Sequence, residues 1–344
     1  MAATSTTTVD RAAIRAQMGK ERLLRIYQQM LLVRRFEERA GDRYQARKIA
    51  GFLHLYIGQE AVAGGFYDHL EGGKDYSLTS YRCHAQALFL GVDPKELMAE
   101  LFGKVTGNVR GKGGSMHFFS KEKGYLGGHG IVGGQIPVGT GAAFTAKYRK
   151  TGGVSVTFLG DGAVPQGTFH ESLNMASLWN LPAIYVIENN MYGMGTACTR
   201  SVAVQDMAAA KAPGYNMKSW TIRDGLDLFE CWAVAKEVVA YARTGKPALV
   251  EAKTYRYRGH SVSDSAADGT KPTDYRTKAE IERYQLLDPI DRIGKELIDA
   301  GWLTEAGAEQ INEQIQTRVR EAVQFADESP EPPLDELGKD VYAK

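Results

Sequence analysis

Apolar positions along the chain follow two rhythms, one of helical period and one of short, mostly apolar runs. From Lys20 to Lys48, Leu23, Leu24, Tyr27, Met30 and Leu31 recur at helical spacing, which predicts one long amphipathic helix. Residues 1–18, rich in Ser and Thr at their start, are expected to be a mobile N-terminal tail. Val154–Leu159 and Ala183–Ile187 are rich in β-branched residues and bounded by Gly, Pro or Asn, the pattern of buried strands. Between them Phe169, Leu173 and Ala176 repeat with helical period over Thr168–Trp179. Strand, helix and strand make a βαβ unit, and Ala248–Ala252 supplies another strand. The α/β class follows, as an open, mostly parallel sheet with helices on both faces. Residues 278–326 are expected to be mostly helical. Ser329-Pro-Glu-Pro-Pro333 breaks into a C-terminal tail, leaving 19–328 as one domain.

Residues 103–141 keep neither rhythm and are crowded with glycine. So much glycine costs backbone entropy on folding, so it marks unusual φ or close approach to a ligand. A flexible linker is the bland alternative, disfavoured by the interleaved Met116, His117, Phe118, Ile131, Val132 and Ile136. The formal charge of +1 comes from scattered Lys and Arg, which gives no basic stripe for nucleic acid. Cys83, Cys198 and Cys231 lie far apart and read as reduced thiols, not a disulfide framework. No apolar run approaches a membrane span, and the start has no apolar core of a secretory signal. A soluble, cytoplasmic protein is expected.

In parallel α/β sheets, ligands sit outside the carboxyl ends of the strands. One predicted strand ends in Gly160-Asp161-Gly162 and the next in Glu188-Asn189-Asn190. The two loops open on one edge, offering a carboxylate and an amide oxygen. Magnesium takes such hard oxygens in octahedral geometry, commonly beside phosphates. The glycines around Asp161 admit a bulky diphosphate, and a helix following the turn would point free N–H groups at it. Alone, a Gly-Asp-Gly is usually a turn and an Asn-Asn pair usually a loop. Paired across one βαβ unit, with 26 residues between Gly162 and Asn189, they are far more specific.

That pairing resembles the signature of the thiamine diphosphate enzymes. Further stretches resemble the E1 alpha subunits of 2-oxo acid dehydrogenases: Phe52–Glu60, Ser80-Tyr-Arg82, Arg110–His117, Gly130–Gln135, Glu188–Thr196 and Tyr255–Ser261. They stand in the family's order and cover roughly residues 20–330. The resemblance implies that Asp161 and Asn190 hold Mg2+, with the Tyr192 carbonyl as a third ligand. It implies that Tyr81, Arg82 and Arg256 contact the diphosphate, that Gly162 and Ala163 lie under it, and that Gly130 and Val132 hold the aminopyrimidine ring. His54 and His260 resemble active-site histidines near the substrate and the incoming lipoyl group, although a lone histidine is more often a satisfied structural side chain. His117 and His129 rank below them, and His69 and His170 read as structural.

The glutamate that activates the cofactor in this family lies on a second domain of similar fold, for which this chain has no length. The resemblance therefore implies a separate beta subunit, an α2β2 assembly and transfer of the acyl group to a lipoyl-bearing E2. Thiamine diphosphate supplies the electron sink for decarboxylating a 2-oxo acid. Gly259–Asp264 resembles the pyruvate type; acetoin and branched-chain types share the cofactor motifs and remain alternatives. Ser261 matches the control serine of relatives regulated by phosphorylation. Ser265–Pro272 lengthens the following loop relative to many family members. A dinucleotide-binding turn at Gly139-Thr-Gly141 and a noncatalytic interaction subunit are the readings from other classes.

Overall fold

The structure, a computed structural model, describes residues 4–5, 9–264, 275–339 and 341–342. Its main sheet has strands β1 (Thr4–Ser5), β2 (Tyr76–Ser80), β3 (Tyr125–His129), β4 (Ser155–Gly160) and β5 (Ala183–Asn189). After a short antiparallel hairpin of β6 (Tyr192–Gly193) and β7 (Thr196–Ala197), β8 (Lys218–Ile222) and β9 (Ala248–Lys253) complete it. The spatial order is β1-β8-β9-β5-β4-β2-β3, and every pairing in it is parallel.

The central strands are buried on both faces, and their side chains divide two cores by strand period. Val156, Phe158, Ile184, Val186 and Val250 face the helices Arg11–Gln45, Glu60–Tyr67 and Leu228–Arg243. Leu159, Tyr185, Ile187 and Leu249 face the helices Gln135–Tyr148 and Gly167–Leu178. The expected open parallel sheet with helices on both faces is therefore present.

Two expectations need correction. The first helix begins at Arg11, where the Asp10 carboxylate accepts the Ala13 N–H as an N-cap. Residues 11–18, read as tail, are thus helical and bury Ile14 and Met18. Gly19, at φ 71°, breaks the helix there, which is why the periodic reading began only at Lys20. The dinucleotide reading also fails. Gly139 and Gly141 lie inside the helix Gln135–Tyr148 instead of in a strand-to-helix turn. A Cβ on Gly139 would sit 1.9 Å from Thr157 Oγ1, so this glycine lets the helix press onto β4.

The glycine-rich segment is built around a carboxylate. Glu100, fully buried, accepts N–H bonds from Val109 (3.0 Å), Gly111 (2.8 Å), Gly113 (2.7 Å) and Gly114 (3.1 Å). The backbone N–H groups of these glycines thus converge on Glu100 instead of on a ligand, and only the later part of the segment reaches the cleft described below. The C-terminal stretch closes over the same loop, with Glu336 paired to Arg110 at 2.6 Å and Lys112 at 3.3 Å.

Candidate active site

Because the sheet is parallel, β2, β4, β5 and β9 all deliver their following loops to one edge. Gly160 pairs with Glu188 and Asn189 with Lys253, so Asp161, Asn190 and the residues after β9 arrive side by side. Tyr81, Arg82, Val132, Asp161, Gly162, Ala163, Asn190, Tyr192 and Arg256 line a single cleft there. Nine of the residues singled out in the sequence are thereby brought together. Gly130 follows β3 and is not among the residues lining the cleft; a Cβ there would lie 3.3 Å from the His117 ring.

The floor of the cleft is electrostatically unusual. Asp161 is buried and its Oδ2 has no hydrogen-bond partner among the described residues. Burial pushes its pKa up to about 6, against the opposing pull of the Arg256 charge. Arg256, itself buried, donates from Nη1 to Asn190 Oδ1 (2.8 Å) and to the Tyr192 carbonyl (2.6 Å). Its Nη2 donates to the Met194 carbonyl (2.6 Å) and Tyr275 (3.0 Å). Two of the three oxygens expected to hold a metal are thus already turned toward a cation, and the third is a buried carboxylate oxygen without a donor. One carboxylate, one amide oxygen and one backbone carbonyl are the kind of set magnesium accepts when phosphate and water complete its shell. Gly162 faces Gly193 at 3.3 Å from a would-be Cβ to Cα, so the backbone on this floor carries no side chain to obstruct a diphosphate. These residues fit a metal-bound diphosphate.

Arg82 is buried and donates to the carbonyls of Leu55 and His260, the latter at 3.0 Å. Beside it three rings pack together: His54 lies 4.4 Å from Tyr81 and 5.1 Å from His260, and Tyr81 lies 5.4 Å from His260, between centroids. Burial first, then the Arg82 charge, lowers His54 to about 2 and His260 to about 3. Both imidazoles are therefore neutral near pH 7. His54 and His260 do not line the cleft; they adjoin it through Tyr81. Among the secondary histidines, His117 bonds the Gly128 carbonyl (3.1 Å) and His129 that of Leu126 (3.3 Å). His69 meets the Trp232 carbonyl (3.1 Å) and His170 the Tyr215 hydroxyl (2.6 Å), consistent with structural roles.

Sequence reading missed Gln59, Ser80, Gly133, Gln135, Glu188 and Gly193, all on the cleft wall. Glu188, buried and bonded by the Tyr56 hydroxyl, is raised by burial to about 7. Its place at the end of β5, beside the Asn-Asn pair, was the available signal.

The loop after His260 is more ordered at its start than its composition suggests. Ser261 and Val262 are buried, the Val262 N–H donates to the Leu53 carbonyl at 2.9 Å, and Asp264 accepts the His260 N–H at 3.0 Å. Residues 265–274, which include the whole lengthened segment Ser265–Pro272, lie outside the described residues. No helix among the described residues is long and apolar enough to cross a membrane.

Comparison with known proteins agrees with the geometry. The profile of the family described as "Dehydrogenase E1 component" matches residues 28–335. The chain is 45% identical over 324 residues to "Pyruvate dehydrogenase E1 component subunit alpha" of Rickettsia felis, covering 94% of this chain and 96% of that one. It is 46% identical over 332 residues to the protein of that name from Rhizobium meliloti, covering 95% and 91%. The chloroplastic subunit alpha-3 of Arabidopsis thaliana is 44% identical over 331 residues, covering 94% and 75%.

Proposed function

Because the chain belongs to the dehydrogenase E1 component family, we propose that it is the alpha subunit of pyruvate dehydrogenase E1. In this role it acts with a beta subunit in an α2β2 assembly to decarboxylate pyruvate oxidatively and pass the acetyl group to a lipoyl-bearing E2. The observation that carries the reading is the convergence of Asp161 Oδ2, Asn190 Oδ1 and the Tyr192 carbonyl at the carboxyl edge of the sheet.

Thiamine diphosphate, when bound, supplies the electron sink for loss of carbon dioxide. Asp161, Asn190 and Tyr192 would hold its magnesium, and the carboxylate gives that ion its one anionic protein ligand. Gly162 and Ala163 would form the floor under the diphosphate, with Tyr81, Arg82 and Arg256 at its sides and Gly130 and Val132 toward the aminopyrimidine. Neutral His54 and His260 would stand beside the reacting end as hydrogen-bond donors or acceptors that add no charge.

Pyruvate is supported by the names of the relatives and by Gly259–Asp264. The test is carbon dioxide release from pyruvate, acetoin and branched-chain 2-oxo acids by the chain with its co-purified second subunit, given thiamine diphosphate and Mg2+. Pyruvate is expected to turn over fastest, and the chain alone to be inactive. Preference for another substrate, or full activity of the chain alone, would refute the proposal.

A further inference from the structure

We propose that Gln59, which none of the assignments above includes, is the positioning residue that decides which atom of Asn190 faces the metal. Arginine carries donors only, so the Asn190 atom 2.8 Å from Arg256 Nη1 is its oxygen. The other end of that amide, Nδ2, then points away and donates to Gln59 Oε1 at 3.1 Å. Gln59 is fully buried on the cleft wall. Its backbone is held by its neighbour Glu60, which accepts the Gly58 N–H at 2.9 Å and a bond from Arg34 Nε at 2.6 Å. Arg34 in turn pairs with Asp288 at 2.9 Å, so a buried ion triad anchors the loop that carries Gln59.

The two ends of an asparagine amide are nearly identical in shape, and only the hydrogen-bond partners choose between them. In the ligand-free protein the donor-only Arg256 makes that choice, and Gln59 supplies the acceptor that matches it. Once a metal takes the oxygen side, repulsion between the two cations weakens the hold of Arg256, and the acceptor on Gln59 is what keeps the amide from presenting its NH2 to the ion. Gln59 Nε2 has no partner among the described residues. It is a spare donor on the wall of a cleft that fits an anion.

This inference rests on the reading of the cleft as a metal-bound diphosphate site, and the test separates the two. Mn2+, as a paramagnetic substitute for magnesium, is titrated into the complex purified with its second subunit, at saturating thiamine diphosphate, and the free ion is followed by electron paramagnetic resonance. Failure of the wild type to bind Mn2+ would overturn the site reading itself. With wild-type binding established, Gln59→Met should weaken Mn2+ about 10- to 100-fold, the usual cost of losing a partner behind a metal ligand. In an Asn190→Asp background both ends of the side chain are oxygens and its orientation no longer matters, so the same change should cost less than about threefold. Equal losses in the two backgrounds, or none in the first, would overturn the positioning role. Gln59→Glu keeps an oxygen opposite Asn190 Nδ2 and should not weaken Mn2+ binding. It decides the matter alone if Gln59→Met does not fold, and a loss of tenfold or more there would count against the proposal.

Discussion

Arg256 Nη1 lies 2.8 Å from the side-chain oxygen of Asn190, so a buried guanidinium holds an oxygen proposed for magnesium. The ion and the guanidinium are both cations directed at the same oxygens, so repulsion favours Arg256 turning away as the metal binds, toward the diphosphate that arrives with it. Removing the guanidinium leaves Asn190 Oδ1 and the carbonyls of Tyr192 and Met194 without this donor. Arg256→Met should therefore destabilise the ligand-free protein by about 1–3 kcal/mol in denaturant unfolding. Mg2+ alone should stabilise the variant more than the wild type, because no cation has to be displaced. The reverse ranking would show that the guanidinium does not compete for the metal site.

Asp161→Ala and Asn190→Ala should each abolish metal-dependent binding of thiamine diphosphate without unfolding the chain. In the wild-type assembly, cofactor at a hundred times its dissociation constant should add about 2.7 kcal/mol of stability through mass action; both variants should lose that increment in thermal melts. The pH dependence has a definite sign. With Asp161 raised to about 6 in the ligand-free protein, a proton competes with the metal as pH falls through that value, so cofactor stabilisation should weaken between pH 7 and 5. Stabilisation that is independent of pH over this interval would argue against Asp161 as the anionic ligand.

What the sequence disclosed follows from burial. Strands β4, β5 and β9 are covered on both faces and read as short runs dominated by apolar and β-branched residues, so their positions were legible nearly to the residue. Strands β2, β3 and β8, with sequences Tyr-Ser-Leu-Thr-Ser, Tyr-Leu-Gly-Gly-His and Lys-Ser-Trp-Thr-Ile, carry polar or glycine residues that hide the pattern. The metal-side residues were legible because two loops follow consecutive strands of one βαβ unit. Gln59 was not, since its partner Asn190 lies 131 positions away and only tertiary folding joins them. Arg256 was expected at the diphosphate; its hold on the metal-side oxygens depends on side-chain geometry that no spacing encodes.

The neutral histidines make a second pH prediction. A buried imidazole whose pKa falls from 6.5 to about 2 or 3 in the folded state stays neutral while its unfolded counterpart takes up a proton. Stability should then decline as pH falls below about 6.5, the sign required when the unfolded state binds more protons. His54→Gln and His260→Gln should each flatten the slope of melting temperature against pH between 6.5 and 4.5, whatever they do to its height. A slope unchanged in both variants would mean that other groups carry the acid sensitivity.

Gly139 tests the packing that replaced the dinucleotide reading. With Thr157 Oγ1 1.9 Å from a would-be Cβ, Gly139→Ala forces the helix Gln135–Tyr148 off β4 and should cost about 1–3 kcal/mol in equilibrium unfolding. Thr157→Ala in the same chain removes the obstructing atom and should recover part of that loss. A fully additive double variant would show that the clash is not the cause.

Ser261 tests whether the start of the loop after β9 belongs to the site. Its side chain is buried, and its Oγ lies 2.6 Å from Ser263 Oγ. The preceding residue, His260, is held from both sides: its N–H donates to Asp264 at 3.0 Å, and its carbonyl accepts from Arg82 Nη2 at 3.0 Å. A glutamate at 261 brings a second carboxylate beside Asp264 and must leave the buried position to be solvated, since burying an unpaired charge is costly. The turn over residues 260–264 should open, releasing both the His260 ring from Tyr81 and the carbonyl that steadies Arg82. Ser261→Glu is therefore expected to reduce turnover of pyruvate with lipoyl-E2 by more than tenfold while costing less than about 1 kcal/mol of global stability, because the opening is local. Limited proteolysis should reveal faster cutting near residues 261–264 in the variant, slowed in the wild-type assembly by thiamine diphosphate and Mg2+. If Ser261→Glu keeps full activity and cutting there is indifferent to cofactor, the turn is only a surface connection and His260 has no part in the site.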